Sequence, residues 1–159
     1  MPHRAASVQA MLVGMDTPIT ASPLTDDTSL LDYVTPLLRR ARWRQLWLLF
    51  LDENDRPLGP VMPFGDYPRD PDRVVRSDEF GSVTMAQFFA IRFAGMMARS
   101  DLAQILMVWE RRGDAELAGE TLRWARTLRD ELVAEGACVR AQLLLHSKGL
   151  RVIAPDDLM

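Results

Sequence analysis

Apolar positions along the chain change their spacing several times, and each change marks an element. From Asp27 or Thr28 onward, Leu30, Leu31, Val34, Leu37, Leu38 and Ala41 recur at helical spacing, with Asp26, Asp27 and Thr28 offering N-cap oxygens. Pro36 lacks a backbone donor and crowds the preceding turn, which predicts a short, kinked or split helix. Residues 45–51 (QLWLLFL) then form a nearly unbroken apolar run of strand length, the pattern of a strand covered on both faces. Asp52-Glu53-Asn54-Asp55 supplies turn chemistry, and residues 56–64 return as a partner strand. Pro57, Pro60 and Pro63 cannot donate to a ladder, so this partner belongs at an edge or is irregular.

The stretch GDYPRDPDRVVRSDEF (65–80) has no clear period. It predicts either a functional or mobile connection or an exposed loop with a short strand at 73–75. Thr84-Met85-Ala86-Gln87 fits a capping box, followed by an apolar face of Met85, Phe88, Phe89, Phe93, Met96 and Met97. Ser100-Asp101 closes that helix, and residues 102–109 form a second buried strand. Gly113-Asp114 is expected to turn the chain and cap a helix over 115–135, whose Leu117, Thr121, Trp124, Ala125, Leu128 and Leu132 keep a 3.6-residue period. Glu116 and Glu120 would lie near its positive end, and Gly136 just past its C-terminus. Residues 137–145, a turn at 146–149 and residues 150–153 make a second hairpin.

This order predicts an α/β protein. A mixed sheet of two hairpins plus a central strand is packed with two main helices as a three-layer sandwich, preceded by a short N-terminal helix. Residues 1–27, with an apolar patch at Met11–Met15, read as an irregular arm, and 28–159 as one domain. At 159 residues the chain is long enough for a full-sized core. With 48% hydrophobic and 26% charged residues it has the balance of an ordinary globular protein.

Charge and residue usage narrow the chemistry. A net charge of −3 gives no overall basic footprint for nucleic acid. Locally, however, Arg39, Arg40, Arg42 and Arg44 cluster after the first helix, as a complement to its dipole or as a phosphate-binding patch. The single cysteine, Cys138, excludes an internal disulfide, and with two histidines it cannot complete an ordinary Cys/His zinc site. A reducing cytoplasmic setting is expected. No run approaches a membrane span, and residues 8–15 are too short and polar for a signal-peptide core. Cys138 and His146 lie at opposite ends of one strand, roughly 26 Å apart when extended, so they cannot pair there; Cys138 reads as a small buried residue and His146 as a turn residue. Neither a nucleophile elbow nor a glycine-rich dinucleotide or P-loop motif occurs, and no cofactor is expected.

LWLLFLDENDRPLG, then a helix, then ILMVW with a polar turn, a helix ending at EGA and a closing LLLHSKGLRVI resemble the JAMM/MPN-type fold, most closely its bacterial RadC type, over roughly residues 45–153. The resemblance implies a zinc hydrolase. Its family holds the metal with H-x-H at the end of the strand before the second helix and with an aspartate near that helix's start, and an earlier glutamate serves as base. Here the H-x-H positions fall at Trp109 and Arg111 or within a residue of them, and a guanidinium cannot ligate. Asp114 or Glu120 could stand for the aspartate, but one carboxylate is not a site. The resemblance therefore implies a pseudoenzyme without metal, acting through protein partners or as a homodimer. Trp109, Glu110, Arg111, Arg112, Asp114 and Glu120 are its candidate binding surface. The plainer reading is that Trp109 packs beneath the loop and the charges are solvated. Two other functions stay open. One is a small hydrolase with a site between loop 66–79 and turn 109–114. The other is nucleic-acid binding through Arg39–Arg44 and Arg111–Arg112, helped by Trp43 and Trp109.

Overall fold

A computed structural model of the chain describes residues 22–159, so the patch at Met11–Met15 and most of the 1–27 arm lie outside the described residues. Helix α1 (Asp27–Leu38) opens with a capping box, in which the Ser29 N–H donates to Asp26 Oδ1 at 2.8 Å and the Asp26 N–H to Ser29 Oγ at 3.1 Å. Pro36 stands in the last turn and does not split the helix, because a donor missing that late removes only one rung. No basic residue lies within that last turn; Arg39 is the C-cap and the other arginines follow it, beyond the negative end of the helix.

Strands β1 (Gln45–Leu51), β2 (Met62–Phe64), β5 (Gln104–Glu110), β6 (Cys138–His146) and β7 (Gly149–Val152) form a five-stranded sheet in the order β2-β1-β5-β6-β7. The two expected hairpins flank β5, and β2 is a short edge strand carrying Pro63. β5 pairs antiparallel with β1 and parallel with β6, and the parallel pair is joined by helix α3 (Gly119–Ala134). β3 (Val74–Ser77) and β4 (Gly81–Thr84) make a separate two-stranded hairpin, which leads directly into helix α2 (Met85–Ala98). A short strand near 73–75 is foreshadowed by Val74-Val75. β4 is not, since Gly-Ser-Val-Thr carries one apolar residue and its last member also caps α2, donating and accepting with Gln87 as the capping box requires.

The unbroken apolar runs of β1 and β5 are explained by burial on both faces. On one face Leu46, Leu48, Phe50, Ile105, Met107, Trp109 and Leu144 pack against Ala90, Phe93, Trp124, Ala125, Leu128 and Leu132 from α2 and α3. On the other, Leu49, Leu51, Leu106, Val108, Leu143 and Leu145 pack against Leu30 and Val34 of α1. Each Leu, Ile, Val, Phe or Met side chain so removed from water stabilises the fold by about 1.5–3 kcal/mol. The molecule is thus a three-layer α/β sandwich. Helix α2 turns slightly from its expected face: Ala86 and Ala90 are fully buried, while Phe88 is half-buried against Phe80. Small side chains allow the close approach to the sheet, and the larger rings splay to either side.

Helix α3 begins at Gly119, four residues later than the apolar period suggests. The reason lies in arginine side chains that occupy the carbonyls an earlier turn would need. Arg111 donates to the Asp114 and Glu116 carbonyls and Arg151 Nε to that of Ala115, while the Glu116 N–H donates to Asp114 Oδ1. Asp114 therefore closes a local turn rather than capping α3, whose N-cap, Ala118, has no side-chain bond. Glu116 stands outside the helix and shares no helical face with Glu120. The C-terminus follows expectation: Gly136 adopts φ 82°, and the Gly136 and Ala137 N–H groups donate to the Val133 and Leu132 carbonyls, a Schellman closure.

Candidate functional site

The carboxyl ends of the parallel strands β5 and β6 are where open α/β sheets place ligands. Three loops meet there: residues 39–44 before β1, 111–118 after β5, and the 146–149 turn. They are laced together. The Ala41 N–H donates to the His146 carbonyl, the Ser147 N–H to the Gly113 carbonyl, the Gly113 N–H to Ser147 Oγ, and Arg112 Nε to the Arg42 carbonyl.

Two of the candidate surface residues are removed from that surface. Trp109 is 1% exposed, donates from Nε1 to Gln142 Oε1 at 2.6 Å, and meets Tyr67 edge-on with ring centroids 5.9 Å apart. Glu110 is 4% exposed, and four donors saturate its carboxylate. The Arg42 and Trp43 N–H groups reach Oε2 at 2.6 and 2.8 Å, while Gln45 Nε2 and Trp47 Nε1 reach Oε1 at 2.9 and 2.7 Å. A carboxylate so engaged holds the 42–47 segment in place and has no lone pair left for a metal or a substrate proton. For Trp109 the plainer of the two sequence readings is the right one, and both residues are corrected from contact surface to interior.

Arg44 also leaves the exposed arginine patch. Its guanidinium grips Glu120 through two hydrogen bonds of 2.9 and 3.2 Å and donates to the Tyr67 and Pro68 carbonyls. It also lies 3.8 Å from the centroid of the Tyr67 ring. Tyr67 is itself buried, and that burial pushes its phenol up to about 12. This cluster fastens the 65–73 segment across α3. Three further acids of this stretch are paired: Asp70 and Asp72 with Arg123 of α3 at 2.9 and 3.4 Å, and Glu79 with Arg92 of α2 at 3.5 Å. Tyr67 meets Trp109 directly, and the Glu120 carboxylate beside it is held by Arg44.

Arg39, Arg40, Arg42, Arg112 and Lys148 remain exposed at this end, and Trp43 keeps 57% of its surface open. Arg39 adopts φ 65°, a left-handed backbone that an arginine takes only under constraint. The half-buried His146 imidazole lies below its ordinary value, first through desolvation and then through the charges of Arg111 and Arg151, which registers the positive field. The opposite end of the sheet is acidic, with Asp52, Glu53 and Asp101 lining a shallow depression. Asp114 is also exposed but lies beside Arg111. Cys138, expected to be buried, is exposed on the first residue of β6. Among the described residues no group of three or more His, Cys, Asp or Glu side chains is placed to hold a metal ion, and no helix is long and apolar enough to cross a membrane.

Next to Glu110 a cleft of about 250 Å³ opens between the end of α1 and the start of β1, lined by Leu37, Leu38, Arg39, Arg40, Arg42, Trp43, Gln45, Trp47 and Glu110. Sequence reasoning found its arginines and Trp43 but missed Gln45. The available signal was a polar residue heading the apolar run QLWLLFL. No protein-family model matches the chain, and no curated protein matches it either.

Proposed function

We infer that this chain is a non-catalytic binding domain, a metal-free relative of the MPN-type domains, that works by contact with another macromolecule at the basic end of its sheet. The observation that carries this reading is Glu110: the one buried carboxylate at the junction accepts four hydrogen bonds from its own chain. Its neighbours are engaged in the same way, Trp109 with Gln142 and Arg111 with the 114–116 loop. A reacting group needs a free lone pair or a transferable proton within reach of substrate, and these side chains are used to hold loops. The mixed sheet clasped by helices on both faces supports the MPN-like kinship. Exposed arginines around an open indole support a contact role, since these are the side chains that dominate binding energy at interfaces.

The test is turnover. Incubated with activated ester, phosphodiester and isopeptide substrates, with and without added Zn²⁺, the protein should show no hydrolysis above background. Hydrolysis that falls at least ten-fold in Glu120→Gln or Asp114→Asn would overturn the reading and favour the hydrolase built between residues 66–79 and 109–114.

A further inference from the structure

Resting on that reading, we propose that the cleft before β1 binds a nucleotide unit, with a base lying against Trp43 and Trp47 and its phosphate on the arginine rim, either as a free nucleotide or within a single strand. Gln45 identifies the ligand chemistry. It is 3% exposed, and its Oε1 is the buried side-chain atom without a hydrogen-bond partner among the described residues. A buried acceptor left without a donor is destabilising until something donates to it. The amide cannot be reversed to relieve it, because Nε2 donates to Glu110 Oε1 and reversal would set two oxygens against each other. Gln45 lines the cleft beside that saturated carboxylate; its orphan oxygen is covered, and a small shift of the side chains over it would let a ligand N–H, but not a second anion, satisfy it.

The rim asks for the opposite. Arg39, Arg40 and Arg42 line it, and Arg112 is drawn to it through its bond to the Arg42 carbonyl. A ligand that satisfies both must carry N–H donors at one end and negative charge at the other. The two indoles that line the cleft add a requirement for a flat ring. At about 250 Å³ the cleft lies below the ~300–1,000 Å³ of sites that engulf a whole ligand, so it takes one ring and leaves the charged part outside. A nucleobase with its phosphate has this distribution, and aromatic stacking with basic tracking is how single strands are held. A peptide of acidic residues alone, such as oligoglutamate, matches the rim but offers no ring.

The experiment uses the full chain and a fluorescein-labelled twelve-residue oligo-dA, read by anisotropy. Parallel arms use an abasic twelve-mer, AMP as competitor, and a twelve-residue oligoglutamate. Oligo-dA should bind at least ten-fold more tightly than the abasic strand. Trp43→Ala should weaken it five-fold or more without changing the salt slope, whereas Arg42→Ala should lower that slope by about 0.7. Gln45→Met should shrink the preference for dA over abasic strand toward unity; a urea midpoint reports whether it still folds, and the exposed Trp43 variant tests the cleft if it does not. AMP competing within ten-fold of oligo-dA assigns the free nucleotide, and much weaker competition assigns the strand. Equal binding of abasic and dA strands, binding of oligoglutamate alone, or no binding of any probe would overturn the nucleotide assignment. None of these touches the absence of catalysis, which falls only to hydrolysis, whereas assignment of the free nucleotide would replace the macromolecular contact by a small ligand.

Discussion

Two tryptophan–arginine clusters stand at the same end of the sheet and have opposite fates. In Trp109-Glu110-Arg111 every functional group is engaged within the chain: the indole by Gln142, the carboxylate by four donors, the guanidinium by the carbonyls of the next loop. In Arg39–Trp43 the backbone is held by that same Glu110, while Arg39, Arg40, Arg42 and Trp43 are turned to solvent. One cluster is the clamp and the other is what the clamp presents. Residue type therefore says little about use; use depends on which polar groups have already found partners.

The comparison can be broken most severely at the clamp. Trp109→Ala removes a fully buried indole and should cost about 3–5 kcal/mol, read as a shift of the urea midpoint. A loss under 1 kcal/mol would mean the ring is not core. Glu110→Ala should cost about 3 kcal/mol, since it strands donors that are partly or wholly buried. It should also loosen residues 42–47, seen as faster amide exchange at Arg42 and Trp43.

Arg44→Ala gives up the Glu120 pair and two carbonyl contacts but is one-third exposed, so about 1 kcal/mol is expected. On the presenting side, Arg42→Ala and Trp43→Ala should each change stability by no more than about 0.5 kcal/mol, because the Glu110 bonds come from their backbone N–H groups. A larger loss from either would erase the distinction between the two clusters.

Alkali offers a further way to sharpen the contrast. The chain has two tyrosines, and desolvation raises both Tyr33 and Tyr67 to about 12 from an ordinary value of 10. Between those values the folded state holds protons that the unfolded chain has released, so stability falls as pH rises from 10 toward 12. Absorbance at 295 nm should show neither phenol ionising near pH 10 in the folded protein and both doing so in urea. Tyr67→Phe should remove part of the alkaline loss. A folded-state transition near 10 that disappears in Tyr67→Phe would show that the region around Arg44 and Trp109 admits water.

Much of the architecture was legible before any coordinates. The 3.6-residue period of Trp124, Ala125, Leu128 and Leu132, the Thr84–Gln87 box and the unbroken runs of β1 and β5 all carry local or burial-driven signals that tertiary packing did not override. The start of α3 was not legible, because Arg111 and the sequence-distant Arg151 occupy carbonyls that an earlier first turn would need. The β3–β4 hairpin was half legible, since only β3 carries the apolar residues that mark a strand. In the site, the arginines and Trp43 could be read directly. Gln45 could not, because an unpaired amide oxygen is a property of what surrounds it.

The sequence alone determined the layers: its apolar periods decide which side chains must leave water, and for most of this chain one set of helices and strands satisfies them. Only the tertiary structure decided which charges are still available. That follows from distance, since a carboxylate at position 110 and donors at 42, 43, 45 and 47 can neutralise one another's hydrogen-bonding capacity only after β1 and β5 have been brought side by side.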